Sequence, residues 1–116
     1  MSRLDTLRSF ALALPATTMV RQWGDALVFK VAGKVFLVVG LDGTIVDGLA
    51  FKCTPDEFAA LTEIDGIGQA PYFAKRHWVR VADPAALPAP ELTALIRRSY
   101  DLVVAGLPKK TQAQLR

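Results

Sequence analysis

The sequence predicts an α+β domain, an antiparallel sheet with helices packed on one face. Three observations carry this. Segments with helical spacing open the chain, interrupt it near the middle and return near its end. Four short β-rich segments joined by tight turns lie between the first two helices, and a fifth lies between the second and third. Consecutive strands with short connections make a meander, and helices bunched around it rather than alternating with it argue against a parallel α/β sheet.

Each element has a local cause. Ser2-Arg3-Leu4-Asp5 reads as a capping box, and Leu4, Leu7, Ala11 and Leu14 follow at helical spacing, so the first helix is expected over about residues 3–13. Pro15 disfavours helix at the residue before it and stops the segment. Thr17 to Trp23 reads as a strand, Gly24-Asp25 as a turn, and Ala26 to Val31 as a second strand. Ala32-Gly33 connects tightly to a third, Lys34 to Val39. Asp42-Gly43 is a hairpin signal leading to Thr44 through Cys53, with an irregularity expected at Gly48. Thr54-Pro55-Asp56-Glu57 starts a helix with a hydroxyl cap, proline in the first turn and two early acids, and turns Phe58 and Leu61 inward. Asp65-Gly66 ends it. Residues 66–72 are expected as loop, Phe73 to Val81 as the last strand, and Asp83 to Pro90 as a Pro/Ala-rich link. Glu91 to Ala105 is the third helix, with Leu92, Leu95, Ile96, Ser99, Leu102 and Val103 as its inward stripe. Residues 1–106 are thus expected as one domain, and 107–116 as a short basic tail.

Composition narrows function by exclusion. At 116 residues, 52% hydrophobic and 22% charged, the chain is globular rather than disordered. No apolar run approaches the ~20 residues of a membrane span, and the charged N-terminus is not a signal peptide, so no membrane partner is expected. A single cysteine excludes an internal disulfide and fits a reducing cytoplasm. One histidine and one cysteine, 24 positions apart, form no metal-ligand pattern, and no cofactor motif occurs; none is expected. The net charge of +3 is a weak pointer to an anionic partner.

The stretch AKRHWVRV, residues 74–81, carries the chain's only histidine. Strand alternation sorts its side chains, with His77, Val79 and Val81 on one face and Arg76, Trp78 and Arg80 on the other. The same sorting opposes Leu27, Phe29 and Val31 to Val28 and Lys30, and Phe51 and Cys53 to Ala50 and Lys52. With the apolar sets against the helices, Lys30, Lys52, Arg76, Arg80 and Trp78 point away from them. Cations suit phosphates, and an exposed indole would offer a stacking platform for a base. A solvated sheet face also carries Lys and Arg routinely, and arginine stems can cover a tryptophan. His77 lacks a carboxylate at a recognisable spacing and reads as a packed histidine rather than a general base. Cys53 precedes a helix N-terminus, a position that would lower a thiol's pKa, but it also reads as a small buried residue at a strand end. Tyr72 is a candidate surface aromatic, and Lys109-Lys110 candidate phosphate contacts or solvated tail residues.

Taken in order, LALPAT, WGDALVFKVAGKVFLVVGL, LAFKCTPDEF, APYFAKRHWVRV and SYDLVVAGLPKK resemble the MmcQ/YjbR family of small bacterial proteins. The resemblance covers about residues 3–110. It implies a compact α+β domain of frataxin-like or double-wing arrangement and a DNA-binding role. The positions that carry over are Lys30, Lys34, Lys52, Lys75, Arg76, His77, Trp78, Lys109 and Lys110. Where some relatives have Asn, this chain has Ala74, so a contact made through that Asn is absent.

The expected function is therefore a non-catalytic DNA-binding module gripping the phosphate backbone. Its expected contacts are Lys30, Lys52, Lys75, Arg76, Trp78, Arg80, Lys109 and Lys110, with little sequence specificity because no recognition helix is evident. A protein-interaction module and a small-ligand binder around Tyr72, His77 and Cys53 stand beside it as alternatives.

Overall fold

The computed structural model describes residues 3–22, 24–70 and 77–115. Six strands form one antiparallel sheet: β1 (Thr17–Gln22), β2 (Ala26–Val31), β3 (Lys34–Asp42), β4 (Ile45–Lys52), β5 (Ile67–Gln69) and β6 (Trp78–Val81). Their order across the sheet is β1-β2-β3-β4-β6-β5. Helices α1 (Arg3–Leu12), α2 (Pro55–Leu61) and α3 (Ala89–Ala105) pack on one face, and a short α4 (Lys109–Gln114) closes the chain. The expected α+β class and its antiparallel sheet are what the chain forms.

The core lies between the helices and the sheet. Leu27, Phe29 and Val31 of β2, Leu37 and Val39 of β3, Leu49 and Phe51 of β4, and Val79 and Val81 of β6 meet Leu7, Ala11, Leu92, Ile96 and Tyr100 from the helices. The alternation read from the sequence is therefore correct on every described strand it sorted. Burying such residues contributes about 1.5–3 kcal/mol each, which is what holds the short amphipathic helices to the sheet.

Two irregularities shape the sheet. Opposite Phe29 and Lys30, β3 offers Leu37 and then Val35, so Phe36 is an extra residue. The bulge turns both Phe36 and Leu37 into the core, where Phe36 meets the edge of the Tyr100 ring at 5.4 Å. In β4, Gly48 pairs Gly40 but Val46 pairs Leu41, which leaves Asp47 extra and exposed. This is the irregularity expected at Gly48. Its φ of +152° is one that side-chain-bearing residues rarely adopt.

The β2–β3 turn, Ala32-Gly33, has φ of +49° and +83°, the two positive values a type I′ turn requires. In α2, Thr54 Oγ1 accepts from Glu57 N–H while Glu57 Oε1 accepts from Thr54 N–H, the reciprocal cap its sequence predicts.

Some expectations are corrected. Residues 67–69 form β5 rather than loop, pairing β6 with Gly68 opposite Arg80. The basic tail is helical: Leu107 is buried, Leu115 packs against the core, and residues 109–114 fold as α4. The strand expected from Phe73 is described only from Trp78, because residues 71–76 lie outside the described residues, as do Ser2 and Trp23. Among the described residues no helix is long and apolar enough to cross a membrane.

Candidate functional site

The sheet face turned away from α1, α2 and α3 gathers the strongest candidate groups. Register defines its rows. One runs Val20, Val28, Val38, Ala50, Arg80, Gly68 across all six strands. A neighbouring row holds Thr18, Lys30 and Val35, and continues on the far side of the β3 bulge as Lys52 and Trp78. Strands about 4.8 Å apart place the Lys30 and Lys52 backbones roughly 10 Å from each other. Arg80 is one strand over and one step along from Lys52. These rows carry three cations and no carboxylate; Asp42 and Asp47 lie toward the β3–β4 hairpin end.

Arg80 is exposed, and its position depends on a glycine. A Cβ at Gly48 would stand 3.0 Å from Arg80 Nη2 and 3.4 Å from its Cζ. The guanidinium therefore lies across β4 where that strand has no side chain. Backbone on one side leaves the other free to meet an oxyanion with its planar donor fork.

Trp78 requires a correction. It shares this face, as alternation predicts, but it is only 5% exposed. It packs with Ala50 and Ala70 in a second apolar cluster flanked by Val35 and Val38, and its carbonyl accepts from Ala70 N–H at 3.0 Å. Alanines beside it leave room for the indole to lie among its neighbours rather than stand in water. It is a core residue of the outer face, not a stacking platform.

The remaining candidates separate. Lys30 and Lys52 are half-exposed on the open face. Lys75, Arg76 and Tyr72 lie outside the described residues. Lys109 and Lys110 are exposed on α4, whose neighbouring Leu115 packs into the helix-side core, so the fold does not bring them to the Lys30–Lys52–Arg80 face. Lys34 is exposed beside the β2–β3 turn.

Sequence reasoning did not see how the Lys52 end of β4 is held. Ser99 of α3 is fully buried; its Oγ donates to Phe36 C=O at 2.7 Å and accepts from Lys52 N–H at 2.9 Å. The hydroxyl stands in for ladder bonds that the bulge removes. Its only trace in the sequence is a polar residue inside the apolar stripe of α3. Arg98 of the same helix reaches Glu57 Oε2 at 3.2 Å and ties α3 to α2.

Cys53 and His77 meet through the backbone. Cys53 N–H donates to His77 C=O at 2.8 Å, and the buried thiol lies 3.4 Å from the same oxygen. Burial, with Glu57 nearby, pushes the Cys53 thiol up to about 11. The lowering expected from the helix start is overruled by desolvation and a neighbouring carboxylate. His77 has φ of +68° and sets its ring edge-to-face with Phe58 at 5.7 Å, the inward packing expected of it. Among the described residues no group of three or more His, Cys, Asp or Glu could hold a metal ion.

A family model described as YjbR matches residues 12–102. The chain belongs to the YjbR family. It is 30% identical over 115 residues to the uncharacterized protein YbdF of Escherichia coli O157:H7, covering 97% of this chain and 93% of YbdF. The crystal structure of Deinococcus radiodurans protein DR2400 superimposes with a TM-score of 0.86 at 28% identity, over 99% of this chain and 88% of that one. A Pseudomonas syringae protein shares the fold with a TM-score of 0.66 at 24% identity, over 88% of this chain and 98% of its own.

Proposed function

We propose that this chain is a non-catalytic DNA-binding module that holds the phosphate backbone on its open sheet face through Lys30, Lys52 and Arg80. One observation carries the reading: the register sets three cations from three strands on one face whose central rows hold no acid. The family resemblance, which implies a DNA-binding role, supports it. Lys75 and Arg76 join by sequence alone, and Lys109-Lys110 would form a separate contact from α4. With Trp78 buried, the module grips phosphates without stacking on bases, so it has little preference for sequence or for single strands. A reducing cytoplasm, consistent with the single cysteine, is part of the same proposal.

The test is fluorescence anisotropy with labelled random duplex and single-stranded DNA across a salt series. The three sheet-face contacts alone contribute about −2.7 to the slope of log K against log salt on duplex, a loss of roughly 40-fold between 50 and 200 mM salt, and each further cation that engages steepens it by about 0.9. Lys30→Ala, Lys52→Ala and Arg80→Ala should each flatten the slope by about 0.9. Salt-independent binding, or no binding by folded protein at low salt, refutes the proposal. The second reading, a protein-binding face, is favoured by half-buried Val35 and Val38 between the cations and by Val20, 40% exposed on the edge strand beside them. A stoichiometric protein partner recovered without nucleic acid would point there.

A further inference from the structure

We infer that β1 is the seam of a weak homodimer, in which two copies pair this edge strand antiparallel about a two-fold axis at Val20 and join their sheets. The inference does not depend on what the open face binds.

The two edges of the sheet differ. β5 is three residues long and contains Gly68, a short edge that offers little to a neighbour. β1 is six residues long, pairs β2 in unbroken register, and contains neither proline nor bulge and only one charge, Arg21. It lacks the devices that normally blunt an edge.

Its hydrogen-bonding phase can be read. In an antiparallel ladder, alternate residues turn N–H and C=O to the same side. Thr17 N–H leaves the sheet for Leu14 C=O at 3.3 Å, so Thr17 faces outward, and Met19 and Arg21 face outward in phase with it. Among the described residues, neither Met19 nor Arg21 has a backbone partner on that side. These two are the template for an added strand.

A second copy fits it by symmetry. With the axis at Val20, Met19 of each copy exchanges hydrogen bonds with Arg21 of the other. Thr18 lies across from Gln22, and the exposed Val20 covers its own counterpart. Arg21 meets Met19 rather than another arginine, so the pairing opposes no like charges. The seam is one strand pair, well below the ~1,200 Å² of a stable interface, so association should be weak and appear only toward millimolar protein.

The test uses the full chain in sedimentation velocity up to near-millimolar concentration, with circular dichroism to confirm folding. The wild type should show a concentration-dependent dimer. Val20→Lys sets two ammonium groups opposite each other, and Arg21→Pro removes an outward N–H while leaving the bonds to β2; each should leave a monomer. The register has its own readout. Val20 faces Val20 as a non-hydrogen-bonded pair, about 4.5 Å between Cα atoms and within disulfide reach, so Val20→Cys should cross-link under mild oxidation. Thr18→Cys, facing Gln22, should cross-link far more slowly; native Cys53 is buried in both. A wild type that stays monomeric throughout overturns the inference. So does a dimer that Val20→Lys and Arg21→Pro leave intact, or equal cross-linking of the two cysteine variants. Recovery of a different protein bound through β1, with no self-association, assigns the edge to a foreign strand instead.

Discussion

Replacing Ser99 with alanine should cost far more than the loss of one oxygen atom suggests. The hydroxyl is wholly buried and serves two backbone groups at once, Phe36 C=O at 2.7 Å and Lys52 N–H at 2.9 Å. These groups cannot turn to water, and the bulge at Phe36 keeps them from simply closing the ladder. Each buried group left without a partner costs about 1–3 kcal/mol. Alanine's better helix propensity returns about 0.5 kcal/mol. The expected loss is therefore about 1.5–5.5 kcal/mol, a large share of the ~5–15 kcal/mol by which folded domains are stable. Urea denaturation should show a lower midpoint with an unchanged slope. At roughly 4 °C per kcal/mol, Tm should fall in proportion. Hydrogen exchange gives a site-specific check: the Lys52 amide should exchange faster relative to the Val79 amide in the variant than in the wild type. A loss under about 1 kcal/mol with Lys52 still protected would mean the two groups pair without Ser99, and would refute the reasoning.

Three further outcomes follow from the same geometry. Trp78→Ala should cost about 3–5 kcal/mol in chemical denaturation because it empties an apolar cluster; folded Trp78→Phe should keep DNA affinity within about twofold, and a selective loss of single-strand binding would reinstate a stacking role. Gly48→Ala should destabilise by about 1–3 kcal/mol, from the strained φ and the 3.0 Å approach to Arg80, and should weaken DNA binding beyond that of other equally destabilised variants. For Cys53, the folded thiol titrates near 11 against an ordinary 9.0, so the unfolded chain loses its proton first as pH rises. Its contribution to stability is complete below pH 9 and is lost between 9 and 11, on the order of 1–2 kcal/mol by denaturation at each pH, with Tyr100, also raised by burial, pulling the same way at the upper end. Alkylation of Cys53 in folded protein at neutral pH should be slow and should accelerate on unfolding.

The first three helices, the meander and the facing of the sorted strand residues are legible along the chain. Those depend on short-range causes: the Thr54–Glu57 cap, the positive-φ turn at Ala32-Gly33, and period-two alternation in LVFKV and WVRV. The sequence also placed Lys30, Lys52 and Arg80 on one face, because alternation is a property of the extended backbone. How far each of those residues reaches solvent depends on long-range packing. Trp78 is buried in a cluster with Ala50 and Ala70, flanked by Val35 and Val38, and alternation assigns a side of the sheet but not what covers it. The same limit hid β5, whose three residues become a strand only by pairing β6, and α4, which leucine packing recruits from an otherwise polar tail. It hid the seat of Arg80 as well, since Gly48 reads as an irregularity of one strand until β6 is laid beside β4. Ser99 shows both halves of the division. Its place in an apolar stripe was visible along the chain, while its partners, Phe36 and Lys52, are fixed by long-range packing of a helix against a bulge.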